Sequence, residues 1–139
     1  MSESSLYFRL PRANTHDARG SLFKCLTGFE VDLPDDWGEV YAVTLAPGTI
    51  RGRHLHLKAR EFFTVVAGTL RLELFSPGTG ASETLELTPQ DNVSIEIPPG
   101  IAHALHNDKA ETLVVVAVSS HSYDPLDAVP CEWELPAQP

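Results

Sequence analysis

Turns interrupt this chain too often for a helical fold. Eleven prolines and nine glycines are spread along 139 residues, and no segment keeps a 3.6-residue apolar period for more than two turns. Pro89-Gln90-Asp91 and Pro98-Pro99-Gly100 would break any helix in the middle of the chain. Between the turns lie short runs of apolar, β-branched and aromatic residues, at 21–27, 39–45, 61–66, 70–75, 84–87, 93–97 and 113–118. Residues 70–75 read Leu-Arg-Leu-Glu-Leu-Phe, a strict alternation that predicts one buried and one wet face. The expected class is all-β, a small double-stranded β-barrel of the jelly-roll type. Closure removes sheet edges and leaves an interior wide enough for a small ligand. One domain spans 1–139, with a core barrel over about 20–120 and a Pro-rich tail over 121–139. Tyr123 and Trp133 are expected to pack that tail onto the barrel or onto a second subunit.

One stretch carries chemistry. Between Gly48 and Gly68, His54 and His56 stand two apart and Glu61 follows five later. Side chains two apart on a strand share a face, so both imidazoles can converge inside a sheet and the carboxylate of the next strand can join them. Two His and one carboxylate suit a divalent transition metal with open positions. The rival is a pair of ordinary strand histidines beside a solvated Glu. A second segment, 92–107, runs through Pro98-Pro99-Gly100 to His103, placing that imidazole as a fourth ligand in the barrel mouth.

Charge and composition narrow the partners. The net charge of −9 lacks the basic field that nucleic acid or an anionic membrane needs. The longest apolar run, 113–118, is far too short to span a bilayer. The start, MSESS, lacks the pattern of a signal peptide, and Cys25 and Cys131 show no metal-binding spacing. A cytoplasmic protein with a small-molecule partner is the expectation.

The two segments resemble the motifs of the cupins. Gly48, His54, His56, Glu61 and Gly68 match every position of the first motif. Pro98, Gly100, His103 and Asn107 match the second, with Asn92 where glycine is usual. The resemblance implies one metal ion, Zn, Ni, Fe or Mn, held by His54, His56, Glu61 and His103. Asp17-Ala18-Arg19-Gly20-Ser21-Leu22, Arg51-Gly52-x-His54-x-His56-Leu57-Lys58 and Ser122-Tyr123-Asp124-Pro125 are similar to segments of the sugar-nucleotide 3,4-ketoisomerases and 3,5-epimerases. The whole is closer still to the C-terminal cupin domain of capsular-polysaccharide reductase/epimerases. That likeness implies an isomerase or epimerase of a nucleotide-linked 4-keto-6-deoxy sugar, acting as a homodimer. The ketoisomerases carry Gln where Glu61 stands and work without metal. The 3,5-epimerases have a tyrosine at about the position of Ala117.

Roles follow from chemistry. A metal-bound histidine has no lone pair left for base catalysis, so proton transfer falls to Tyr41, Lys58, His106 or His121. With no metal, His54 or His56 is the base and Glu61 orients it. Arg51, Arg53 and Arg60 are the cations for a pyrophosphate. In a regular strand Arg51 and Arg53 face away from the histidines, unless the strand bulges at Gly52. Two rivals share the site: an Fe(II)-dependent oxygenase, and a non-catalytic small-molecule sensor. Trp37, in the PDDWG turn, is a further candidate for the mouth.

Overall fold

The computed structural model describes residues 6–27 and 38–134; Trp37 and most of its turn lie outside these. The described residues form twelve strands: β1 Phe8–Pro11, β2 Thr15–Asp17, β3 Gly20–Leu22, β4 Glu39–Leu45, β5 Ile50–His56, β6 Glu61–Ala67, β7 Leu70–Phe75, β8 Ser82–Leu87, β9 Val93–Ile97, β10 Ala102–His106, β11 Leu113–Ser119 and β12 Ala128–Pro130. The one helical turn among the described residues is 3-10, Pro89–Asp91. Among the described residues no helix is long and apolar enough to cross a membrane.

Two five-stranded antiparallel sheets, ordered β1-β9-β6-β11-β4 and β12-β5-β10-β7-β8, form the barrel. Their inner faces supply the core: Leu45, Phe63, Val65, Leu70, Leu72, Leu74, Ile95, Ile97, Leu113, Val115 and Ala117. Fully burying an aliphatic or aromatic side chain of this size contributes roughly 1.5–3 kcal/mol, so packing between the sheets carries the stability.

Three expectations need revision. The strand expected over 21–27 is confined to β3, paired with β2 as a hairpin. Beyond Leu22 the backbone is held by side chains: Lys24 N–H donates to Asn14 Oδ1 at 2.8 Å, and the Cys25 carbonyl accepts from Arg12 and Ser94. The tail contains a strand, β12, paired with β5, and the Trp133 ring stacks on Phe75 at 5.6 Å. Tyr123 is exposed. Finally, β7 does not present a wet face. Glu73 is only 2% exposed, held by Arg71 Nη1 and facing His106 Nε2 at 3.0 Å. His106 is itself 3% exposed.

Asn92 adopts a left-handed conformation, φ 53° and ψ 48°, at the end of the 3-10 turn. Asparagine is the non-glycine residue that best tolerates this region, which explains how it stands where glycine is usual. Its Oδ1 also lies 2.9 Å from His16 Nε2, tying the β2–β3 hairpin to the barrel.

Candidate functional site

The two motif segments are adjacent in space because β5 pairs with β10. His103 lies opposite His54. Backbone bonds lock the ends: Gly48 N–H donates to the Asn107 carbonyl at 2.8 Å, and Gly100 N–H to the His56 carbonyl at 2.7 Å. Buried Asn107 donates to the carbonyls of Leu45 and Glu111, holding the turn after β10.

On the inner face, His54, His56, Glu61 and His103 each offer a ligand atom, all within 4.8 Å of one another. The imidazole centroids of His54 lie 5.1 Å from His56 and 4.9 Å from His103. His103 Nδ1 is buried with no hydrogen-bond partner. Such an orphan atom costs about 1–3 kcal/mol unless something else satisfies it.

Asp127, which the sequence reading did not single out, completes the arrangement. Its Oδ2 accepts from His56 Nδ1 at 2.9 Å and its Oδ1 from Lys58 N–H at 2.6 Å. The Asp127 hydrogen bond puts the His56 proton on Nδ1 and aims Nε2 at Glu61 Oε1, which it touches. A carboxylate behind a ring nitrogen is the usual orienting partner of a ligating histidine. Tyr41 donates to the other Glu61 oxygen at 2.8 Å.

The electrostatics follow from this geometry. Burial is the largest influence on His56 and works downward, but Glu61 and Asp127 override it and raise its pKa. Burial, reinforced by His56, lowers His54; burial pushes His103 down to about 4. For Glu61, burial acts upward and is outweighed by His56, His103 and Tyr41, leaving the carboxyl below its usual range. Burial and then the Glu61 charge raise Tyr41 strongly. The His56 ring thus lies between Glu61 and Asp127, whose charges favour a positive charge there, as they would a cation.

A bulge decides where the arginines point. Gly52 pairs with Ala104 and His54 with His103, leaving Arg53 as the extra residue. Gly52 has φ 101° and Arg53 φ 62°. The extra residue reverses the side-chain alternation, so Arg51 sits opposite inward-facing Leu105 and lines the cavity. Arg53 and Lys58 are exposed and line neither part of the cavity; Lys58 contributes its backbone N–H. Arg60 lies elsewhere, its guanidinium 5.5 Å over the Phe62 ring and near Glu96.

The cavity has two lobes that share Tyr41, His54 and Glu61. One, about 400 Å³, runs past Arg51, Thr44, Phe63, His103 and Leu105. The other, about 270 Å³, is walled by Glu39, His56, Ser119, His121, Asp124 and Asp127. Ala117 is fully buried and lies directly opposite Tyr41 in the β4–β11 register. The phenol beside Glu61 therefore comes from β4, not from the last core strand.

A two-sheet antiparallel barrel with three histidines and a glutamate meeting inside it defines a cupin. Residues 15–128 match the family described as the polysaccharide biosynthesis C-terminal domain, and the chain belongs to that family. Solved structures agree on the fold. The QdtA 3,4-ketoisomerase from Thermoanaerobacterium thermosaccharolyticum, a double mutant in complex with TDP, is 25% identical with a TM-score of 0.75, covering 91% of this chain and 88% of that one. The rmlC epimerase of Mycobacterium tuberculosis is 22% identical with a TM-score of 0.75, covering 92% and 70%. CapF of Staphylococcus aureus, a capsular polysaccharide assembling protein, is 23% identical with a TM-score of 0.66, covering 70% of this chain and 27% of that one. A search of curated proteins finds no match.

Proposed function

We propose that this chain is a metal-binding isomerase or epimerase of a nucleotide-linked 4-keto-6-deoxy sugar. The observation that carries the reading is the four-donor cluster set where two cavity lobes meet, one of them furnished with Arg51. Family membership supports it, as does the likeness to a ketoisomerase whose crystals hold TDP.

The donor set fits a divalent transition metal: three imidazoles and one carboxylate, one ring oriented from behind by Asp127. Bound there, zinc, nickel, iron or manganese supplies Lewis acidity toward a carbonyl oxygen, worth several kcal/mol, and offsets the Glu61 charge that keeps Tyr41 protonated. Arg51 pairs with the pyrophosphate at the larger lobe. The smaller lobe, walled by Glu39, Asp124 and Asp127, takes the uncharged ring. Tyr41 opens on both lobes; its phenolate, formed once the phenol has given its proton to solvent, removes a proton from the carbon beside the carbonyl. The electron pair left behind is shared with the carbonyl oxygen as an enolate. Reprotonation on the opposite face gives the epimer; reprotonation at the former carbonyl carbon, with the proton of the neighbouring hydroxyl passing to the former carbonyl oxygen, moves the ketone. His121 also lines the smaller lobe, where its ring donates to a substrate oxygen, and the proton returns from solvent.

We place the protein in the cytoplasm as a homodimer. Both cysteines are free, as in a reducing compartment. All six strand residues of the β2–β3 hairpin are exposed although His16 reaches Asn92, and a second copy is their natural cover.

The test is turnover of dTDP- and UDP-linked 4-keto-6-deoxyhexoses under anaerobic conditions, with products resolved by NMR. An isomer or epimer formed without oxygen is the expected result. A requirement for oxygen would favour an oxygenase, and no product across the panel would overturn the reading.

A further inference from the structure

His121 stands out because its backbone is fixed while its ring opens on the smaller lobe. Ser119 Oγ donates to the His121 carbonyl at 2.8 Å. Gly38 packs so close to the His121 backbone that an added Cβ would collide with it, and Ser122 Oγ donates to the Gly38 carbonyl at 3.3 Å. The ring is anchored from behind, where His121 Nδ1 lies 2.9 Å from Ser120 Oγ.

Ser120 is 5% exposed, and its oxygen already accepts Arg60 N–H at 2.8 Å. A serine hydroxyl has one proton to give. Among the described residues, the acceptor within its reach is His121 Nδ1. The opposite assignment would point two N–H groups at the oxygen and leave the buried O–H with no acceptor, at roughly 1–3 kcal/mol. We propose that Ser120 is a positioning residue that fixes neutral His121 as the Nε2–H tautomer, so that His121 presents a hydrogen-bond donor to the smaller lobe.

The role this gives His121 rests on the sugar reading. The ring donates a hydrogen bond to an oxygen of the substrate, and Tyr41 is left as the proton acceptor. The tautomer itself is independent of any substrate and is read directly.

The experiment is long-range proton–nitrogen NMR on the full chain labelled with 15N-histidine. It is recorded about two pH units above the ordinary histidine value of ~6.5, so that the imidazoles are neutral. His121→Gln identifies the His121 signals by their loss. The expected wild-type pattern is a pyridine-type Nδ1 and a pyrrole-type Nε2. Ser120→Ala should shift the ring toward a mixture of tautomers, and Ser120→Thr, which keeps the hydroxyl, should restore the pattern. An Nδ1–H pattern in the wild type, or an unchanged pattern in Ser120→Ala, overturns the proposal. With a 4-keto-sugar nucleotide, Ser120→Ala should lower kcat with little change in KM, and Ser120→Thr should recover it. Absence of wild-type turnover would overturn the sugar reading, whereas the NMR pattern alone decides the tautomer.

Discussion

Asp127 Oδ2 lies 2.9 Å from His56 Nδ1, joining residues 71 apart in the chain. β12 makes this possible by pairing Ala128 with His56, so the preceding residue reaches the back of the imidazole. Asp127→Asn keeps the shape but removes the charge that fixes the ring. Loss of such an orienting partner typically costs about 10–100-fold in metal affinity. Chelator competition with zinc should show a drop of that size with an unchanged fold; equal affinity would remove Asp127 from the site.

The bulge at Gly52 and Arg53 sets a second expectation. An added Cβ at Gly52 would lie 2.8 Å from the His103 carbonyl oxygen, and φ there is +101°. Gly52→Ala should therefore destabilise the protein by about 1–3 kcal/mol, measured by urea unfolding. A variant as stable as wild type would show that β5 does not need this geometry.

Arg51 lines the larger lobe and Arg53 and Arg60 do not. A hydrogen bond to a charged group is worth about 1.5–3 kcal/mol. Arg51→Ala should weaken binding of a nucleoside diphosphate by roughly tenfold or more in calorimetry, while Arg53→Ala leaves it nearly unchanged. Equal losses at the two positions would contradict the assignment.

His106 makes stability depend on pH. It is buried among Arg71, Glu73 and Asp108, and burial, the largest cause, lowers its pKa. The unfolded chain then binds a proton that the folded chain refuses. Stability is full above the ordinary histidine value of about 6.5 and declines as pH falls below it. His54 and His103, both lowered, act in the same direction in metal-free protein; His56, raised, acts oppositely. His106→Asn should flatten the decline in Tm between about pH 7.5 and 5. An identical pH slope in variant and wild type would count against it.

The central strands and the trio of His54, His56 and Glu61 were legible in the sequence because they are local, and His103, from a distant strand, through its likeness to the second cupin motif. Strand periodicity fixed the shared face of His54 and His56, and Glu61 opens the next strand. What escaped depends on partners distant in sequence. Phe8–Pro11 has no strand signature and is a strand because β9 offers it an edge. Asp127 sits in a polar tail whose pairing with β5 no local pattern announces. Glu73 reads as a wet-face residue, yet it is buried against His106 where their two strands adjoin and Trp133 covers the neighbouring Phe75. Arg51 turned on one extra residue, Arg53: Gly52 hinted at the bulge, but the pairing with β10 decides it.

The central claim is that Tyr41 takes a proton from a sugar carbon beside a carbonyl, next to the cluster of His54, His56, Glu61 and His103. Proton NMR of a dTDP- or UDP-linked 4-keto-6-deoxyhexose incubated with the protein in heavy water tests it most directly. A ring proton next to the carbonyl should exchange for deuterium, and Tyr41→Phe should slow that exchange by about 100-fold or more. A full set of ring protons retained across the panel, or exchange undiminished in Tyr41→Phe, would contradict it.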